Sequence, residues 1–238
     1  MMKQDIRVYE KSNIYDFDNS IMMHYYPNRI LQLTNQKESC LELGIGHGYA
    51  TEIFSEHFRN HTVLDGDRDI ICSFRERFPH TRVIETYFET WETKETFALI
   101  IMGFVLEHVE SPQVILNKYK RMLKENGRIF IAVPNAEALN RRVGKEAGML
   151  PDLELLSEND IRLGHRRYYT LKSIVKECET AGLKVVRQEG IYLKPLTTKQ
   201  MLELKLTEEI IQGFLAVGRE YPELSLGILL EAVREDLS

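Results

Sequence analysis

Short apolar runs alternate along this chain with segments whose apolar positions recur at helical spacing. Ser39-Cys40-Leu41-Glu42-Leu43 stops at a glycine and reads as a first strand. Residues 61–64, 81–84 and 97–102 read as the next three. The fourth, Phe97-Ala98-Leu99-Ile100-Ile101-Met102, is apolar throughout, as a strand covered on both faces should be. Residues 127–133 and 183–187 read as a fifth and a sixth, and 226–233 as a last. Between them, Ile70, Ile71, Phe74 and Phe78 fall on one helical face. Ser111-Pro112 is an N-cap with a first-turn proline ahead of the stripe Ile115, Tyr119, Met122, and Asn126-Gly127 is expected to end that helix. Thr170 caps another helix, with Leu171, Ile174, Val175 and Cys178 facing inward and Ala181-Gly182 closing it. Strand–helix alternation predicts an α/β protein, a Rossmann-like sheet with helices on both faces.

Two stretches break the alternation. Residues 135–169 are expected to be an insertion, and 195–222 a helical segment, together forming a lid over a substrate. Residues 1–35 are expected to be an N-terminal helical cap on a single domain spanning 1–238. A length of 238 residues fits one domain with additions, at roughly 100–200 residues per domain. Hydrophobic residues make up 43% and charged residues 28%, enough for a sizeable core and too apolar for a disordered chain. No run of apolar residues is long enough to span a bilayer, and the first residues lack the apolar core of a signal peptide. Cys40, Cys72 and Cys178 are too scattered for a disulfide framework and read as reduced core thiols, so a cytoplasmic location is expected. A net charge of −5 argues against non-specific nucleic-acid binding.

The strongest chemical signal is Leu41-Glu42-Leu43-Gly44-Ile45-Gly46-His47-Gly48-Tyr49, at the turn from the first strand into a helix. Glycines let the backbone turn sharply and approach a ligand closely. A dinucleotide fingerprint would read GxGxxG; here the third glycine, Gly48, comes one residue too early. Glu42, two residues before the first glycine, would repel a pyrophosphate and attract a cation.

Glu-x-Gly-x-Gly-x-Gly after a first strand resembles the signature loop of the class I S-adenosylmethionine-dependent methyltransferases. The resemblance implies that Glu42, Gly44, Gly46 and Gly48 surround the methionine part of S-adenosylmethionine. It implies that Asp65, with Gly66 beside it at the end of the second strand, receives the ribose hydroxyls. Asp67 falls at the expected N-cap of the next helix instead. Where the family often has an acid for the adenine amino group, this chain has Tyr87 and Phe88, so aromatic packing and the Phe88 backbone are expected to hold the base. Phe104-Val105-Leu106-Glu107-His108-Val109 resembles the loop after the fourth strand in small-molecule methyltransferases, including the ubiquinone-biosynthesis O-methyltransferases. Phe104 is placed at the cofactor. Some members of that group have Glu-x-x-Glu-His there, which can hold a metal; Phe104 replaces the first Glu, and no metal is expected. His165-Arg166-Arg167-Tyr168-Tyr169-Thr170 completes the resemblance, which covers roughly residues 37–193.

For such an enzyme, holding donor and acceptor in line supplies most of the catalysis, and a base is needed only if the acceptor must lose a proton. His108 and His165 are the candidate catalytic residues, with His47 and His24 nearby in the pattern. Arg141, Arg166, Arg167 and Tyr168 are the candidate acceptor-binding residues, with Arg142 beside them. The expected acceptor is a small polar, anionic metabolite methylated on oxygen, with S-adenosylhomocysteine as product. Nucleic-acid enzymes of this fold carry Asn/Asp-Pro-Pro-Tyr/Phe or Pro-Cys near the fourth strand, where this chain reads Met102-Gly103-Phe104-Val105. The alternative is a catalytically silent protein that binds S-adenosylmethionine. The apolar segment Ile210, Ile211, Phe214, Leu215 must pack on the lid or on a second subunit, so a homodimer is a further expectation.

Overall fold

The computed structural model describes residues 15–79 and 81–235. Seven strands form one sheet: β1 (Ser39–Leu43), β2 (Asn60–Asp65), β3 (Arg82–Glu85), β4 (Phe97–Gly103), β5 (Leu123–Pro134), β6 (Leu183–Ile191) and β7 (Gly227–Arg234). Their order is β3-β2-β1-β4-β5-β7-β6. Only β7 runs antiparallel to its neighbours. The order reverses between β1 and β4, so the loops leaving those two strands open a crevice at one sheet edge.

The helices are α1 (Asp16–Leu33), α2 (Tyr49–His57), α3 (Arg68–Arg77), α4 (Pro112–Lys120), α5 (Leu139–Glu146), α6 (Glu158–Arg162), α7 (Leu171–Thr180), α8 (Thr198–Glu203) and α9 (Glu208–Glu220). One layer packs Ile115, Leu116, Tyr119, Ile174 and Cys178 against β1, β4 and β5. The other packs Met22, Tyr26, Ile30, Phe54, Ile211 and Leu215 on the opposite face. Both faces of β4 are therefore covered, which is why its sequence shows no alternation.

Several expectations need correction. Asn126-Gly127 does not end α4; the helix stops at Lys120, and Asn126, at φ 61°, turns the chain within β5. Cys72 is exposed, because α3 turns Ile70, Ile71 and Phe74 inward and leaves the thiol outside. Of the N-terminal cap, residues 16–33 form the single helix α1, and 1–14 lie outside the described residues. Segment 195–222 covers its own sheet: Ile211, Leu215 and Gly218 of α9 are buried and pack on β6, while Ile210 points outward. The apolar surface that called for a lid or a second subunit is thus largely used within the chain.

Insertion 135–169 leaves and returns at one point, where Asn135 and Tyr169 form a parallel bridge. The Asn135 amide group donates to the carbonyls of Glu223 and Ser225, fastening this point to the approach to β7. Helix α1 is clasped at both ends. Arg29 donates two hydrogen bonds to Glu189 on β6, at 2.7 and 2.8 Å. Asp18 accepts from Lys194, just past the end of β6, at 2.5 Å.

Candidate active site

The glycine loop sits at the carboxyl end of β1. Gly44, Gly46 and Gly48 all lie in the left-handed region, at φ 82°, 52° and 81°, where side chains are strained. A Cβ added at Gly46 would meet nothing within 4 Å, so the loop is open there, while Gly44 faces Val105 and Phe88 and Gly48 faces Phe74. Asp65 shapes this loop. One carboxylate oxygen accepts from the Ile45 N–H and the other from the Asp67 N–H, both at 2.8 Å. Burial pushes its carboxyl up, and the two backbone bonds oppose that shift. Asp67 caps α3, accepting from the N–H groups of Asp69 and Ile70. Two acids, two residues apart, thus do different work.

Glu42 lies within β1, just before the glycine loop. It is only 2% exposed; Oε1 accepts from the Thr51 hydroxyl at 3.1 Å and Oε2 lies 2.9 Å from His61 Nε2. The carboxylate ties β1 to α2 and β2, so its influence on a cation above the loop is through its charge. Tyr87 is half exposed, and its ring lies on Gly66, 3.0 Å from where a Cβ would stand. Phe88 faces Gly44, and its carbonyl accepts from the Tyr119 hydroxyl at 3.0 Å. Phe104 has φ 56°, unusual for a side chain of that size, and is held by its N–H bond to the Ala132 carbonyl. Its ring meets Tyr26 of α1 edge-on.

The loop after β4 and the returning limb of the insertion are stitched together. The Arg166 N–H donates to the Glu107 carbonyl at 2.8 Å, and the Arg166 side chain donates to the His108 carbonyl at 3.1 Å. This stitching sets the His165 ring against that of His108, with centroids 4.7 Å apart. One ligand atom each from Glu107, His108 and His165 lies within 4.8 Å of the others. Glu107 is fully buried with both carboxylate oxygens unpartnered among the described residues, and burial pushes its carboxyl up to about 7. Burial and the neighbouring His165 push His108 down to about 3. So weak a base accepts a proton poorly near neutrality.

Asp160 stands 3.3 Å from His165 Nδ1. It also accepts from the Ser157 hydroxyl at 2.6 Å and the Tyr168 hydroxyl at 2.9 Å. Burial pushes its carboxyl up, but the neighbouring His165 and the bonds from Ser157 outweigh that and hold it at about 2.

The arginines are more committed than their sequence suggested. Arg141 donates to the carbonyls of Leu153 and Leu155 and lies over the Tyr168 ring at 4.2 Å. Arg142 pairs with Glu137, and Arg167 donates to the Glu110 carbonyl. These bonds fasten the insertion, while Arg167 Nη1 is buried with no hydrogen-bond partner among the described residues. Sequence reasoning missed Thr51, His61 and Asp160. Thr51 and His61 act through Glu42, 9 and 19 residues away, whereas Asp160 acts through the local partners Ser157 and Tyr168, the first a capping box that the spacing Ser157-x-x-Asp160 could have signalled.

A protein-family model described as a methyltransferase domain matches residues 20–188. Two curated proteins from strains of Mycobacterium tuberculosis, each named a probable S-adenosylmethionine-dependent methyltransferase, are 23% identical over 96 residues. That match covers 40% of this chain, and the chain spans about a third, 35%, of those relatives. Among solved structures, the N-methyltransferase NodS of Bradyrhizobium japonicum, in complex with S-adenosylhomocysteine, is similar with TM-score 0.62 and 15% identity, covering 97% of this chain and 96% of that one. The glycopeptide N-methyltransferase MtfA complexed with S-adenosylmethionine gives 0.60 and 12%, covering 90% and 94%. With the family model matching well over half of its residues, this chain belongs to the methyltransferase-domain family of class I S-adenosylmethionine-dependent methyltransferases.

Proposed function

We propose that this protein transfers the methyl group of S-adenosylmethionine to an oxygen of a small polar acceptor. The observation that carries the reading is the open glycine loop at the sheet's switch point, with Asp65 locked beneath it. Gly44, Gly46 and Gly48 would hold the methionine portion, Asp65 and Gly66 the ribose side, and Tyr87, Phe88 and Phe104 the apolar walls. When bound, the sulfonium supplies an already activated methyl group. The protein's tasks are to exclude water, align the acceptor and take its proton. His165 would take it, with the Asp160 carboxylate 3.3 Å from Nδ1 as the nearby negative charge.

Incubation with methyl-labelled S-adenosylmethionine and a fractionated pool of small metabolites tests this reading. Label should move into a small-molecule product and S-adenosylhomocysteine should accumulate. Binding of S-adenosylhomocysteine with no transfer to any fraction would instead favour a silent cofactor-binding protein.

One observation favours a second reading, with a divalent ion. Glu107, His108 and His165 offer a carboxylate and two imidazoles in one cluster, with Asp160 behind one imidazole as an outer-shell partner. Phe104 removes one carboxylate from the loop, but His165 arrives from the insertion. Under this reading a chelator abolishes turnover and magnesium or manganese restores it; under the first, a chelator changes nothing.

A further inference from the structure

Away from the histidine cluster, a second group of buried polar side chains surrounds Lys194. Helix α1 runs antiparallel to β6, as its two clasps require: Arg29 meets Glu189 within the strand, and Asp18 meets Lys194 beyond its carboxyl end. Strand β6 is parallel to β5, since both are antiparallel to β7. The Asp18–Lys194 pair therefore stands at the sheet edge where β4 and β5 also end, the edge of the glycine loop and the insertion. Asp18 Oδ2 is saturated, accepting from Lys194 and from the Thr198 hydroxyl, each at 2.5 Å. The Asn140 N–H of α5 donates to the Lys194 carbonyl at 3.1 Å.

What distinguishes this group is what remains unmet. Asp18 Oδ1, the Tyr192 hydroxyl and Asn140 Oδ1 are buried and have no hydrogen-bond partner among the described residues. Asp18 is 3% exposed and Tyr192 fully buried. Tyr192 is two residues from Lys194 and close enough for Asp18 to bear on its hydroxyl. A buried polar group without a partner is costly, and three around one ion pair call for an occupant.

We propose that Asp18, Tyr192 and Asn140 form the acceptor-binding subsite, and that it takes the hydroxyl groups of a neutral, polyhydroxylated molecule. The hydrogen-bond inventory sets the chemistry. Asp18 Oδ1 and Asn140 Oδ1 can only accept, so the occupant must present O–H or N–H donors. The Tyr192 hydroxyl can give or take, which suits a hydroxyl partner. Charge decides between an alcohol and an ion. Lys194 and Asp18 already neutralise one another, so a further buried charge of either sign would be uncompensated. This rests on the reading of the protein as a methyltransferase and narrows its acceptor from a polar or anionic molecule to an uncharged one.

The test uses the whole protein loaded with S-adenosylhomocysteine and three ring-matched probes: methyl glucoside, glucosamine and glucose 6-phosphate. Binding is read by ligand-observed NMR, with Tyr192→Phe and Asp18→Asn as variants. Methyl glucoside should bind best, and each variant should weaken it roughly tenfold while S-adenosylhomocysteine affinity stays put. Thermal unfolding supplies a second readout for Tyr192→Phe. A site emptied of a needed hydroxyl loses the probe, whereas a merely structural orphan hydroxyl would only gain stability on removal. Preference for either charged probe, no binding of methyl glucoside to the wild type, or unchanged binding in both variants would overturn the proposal. Failure to bind S-adenosylhomocysteine at all would instead strike the methyltransferase reading.

Discussion

Glu107 shows most plainly how one residue couples this site to the stability of the fold. Its folded-state value near 7 lies above the ordinary 4.5, chiefly because burial disfavours the charge. Between those values the folded chain binds more protons than the unfolded one, so stability falls as pH rises through that window. Below it the carboxyl is neutral in both states and there is no penalty. Glu107→Gln should therefore stabilise the fold by on the order of a few kcal/mol at about pH 8, seen as a higher thermal midpoint, and leave it nearly unchanged at about pH 4. Destabilisation by this substitution at the higher pH, reversed by removing metal from the wild type, would mean that the carboxylate is a ligand. The acids at the end of β2 give a second residue-scale prediction. Asp65→Ala removes the pin on the Ile45 N–H and the ribose contact, and should weaken S-adenosylhomocysteine binding by about 10- to 150-fold. Asp67→Ala removes a helix cap and should cost about 1 kcal/mol of stability with little change in affinity. Calorimetry and thermal melts on the two variants separate these effects, and equal affinity losses would place the ribose contact elsewhere. His165→Ala should lower turnover and spare cofactor affinity; the opposite pattern would move His165 to the cofactor side.

At the scale of elements, tight packing between β6 and α9 seats segment 195–222 on the sheet. A Cβ at Gly190 would run into the Gly218 carbonyl and the Ser225 side chain, atoms of packed backbone and a buried hydroxyl with no room to retreat. Gly190→Ala should cost about 1–3 kcal/mol or more in chemical denaturation, with the loss centred on α9 in hydrogen exchange. A neutral result would mean that α9 is held loosely. The contrast between β6 and β4 also explains what was legible in the sequence. Strands β1 to β4 and helices α3, α4 and α7 could be read from local pattern, the strands as short apolar runs and the helices by apolar faces that repeat at helical spacing. The glycine loop was legible because its conformation demands glycine whatever lies around it. The reading of α4 ran past Lys120 because Asn126-Gly127, a sound helix stop, instead serves a turn within β5. The partners of the site were not legible. His61 lies 19 residues from Glu42, and Lys194 lies 176 from Asp18. The loop partners of the arginines were not legible either: guanidinium groups suited to an anion are equally suited to the carbonyls of a long loop, and sequence does not say which they meet.

Taken as a whole molecule, the sheet order places the glycine loop, the loop after β4, the insertion and the end of β6 along one edge, and α1 closes over that edge from the opposite end of the chain. Asp65, His165 and Asp18 come from three distant parts of the sequence and serve three parts of one proposed reaction: cofactor, proton and acceptor. All of this depends on the glycine loop receiving S-adenosylmethionine and not a dinucleotide. The most direct measurement is calorimetric titration of the whole protein with S-adenosylmethionine, S-adenosylhomocysteine and NAD in the same buffer. The account predicts saturable one-to-one binding of the first two and none of NAD. Tighter binding of NAD, or no binding of either sulfur compound by the folded protein, would contradict it.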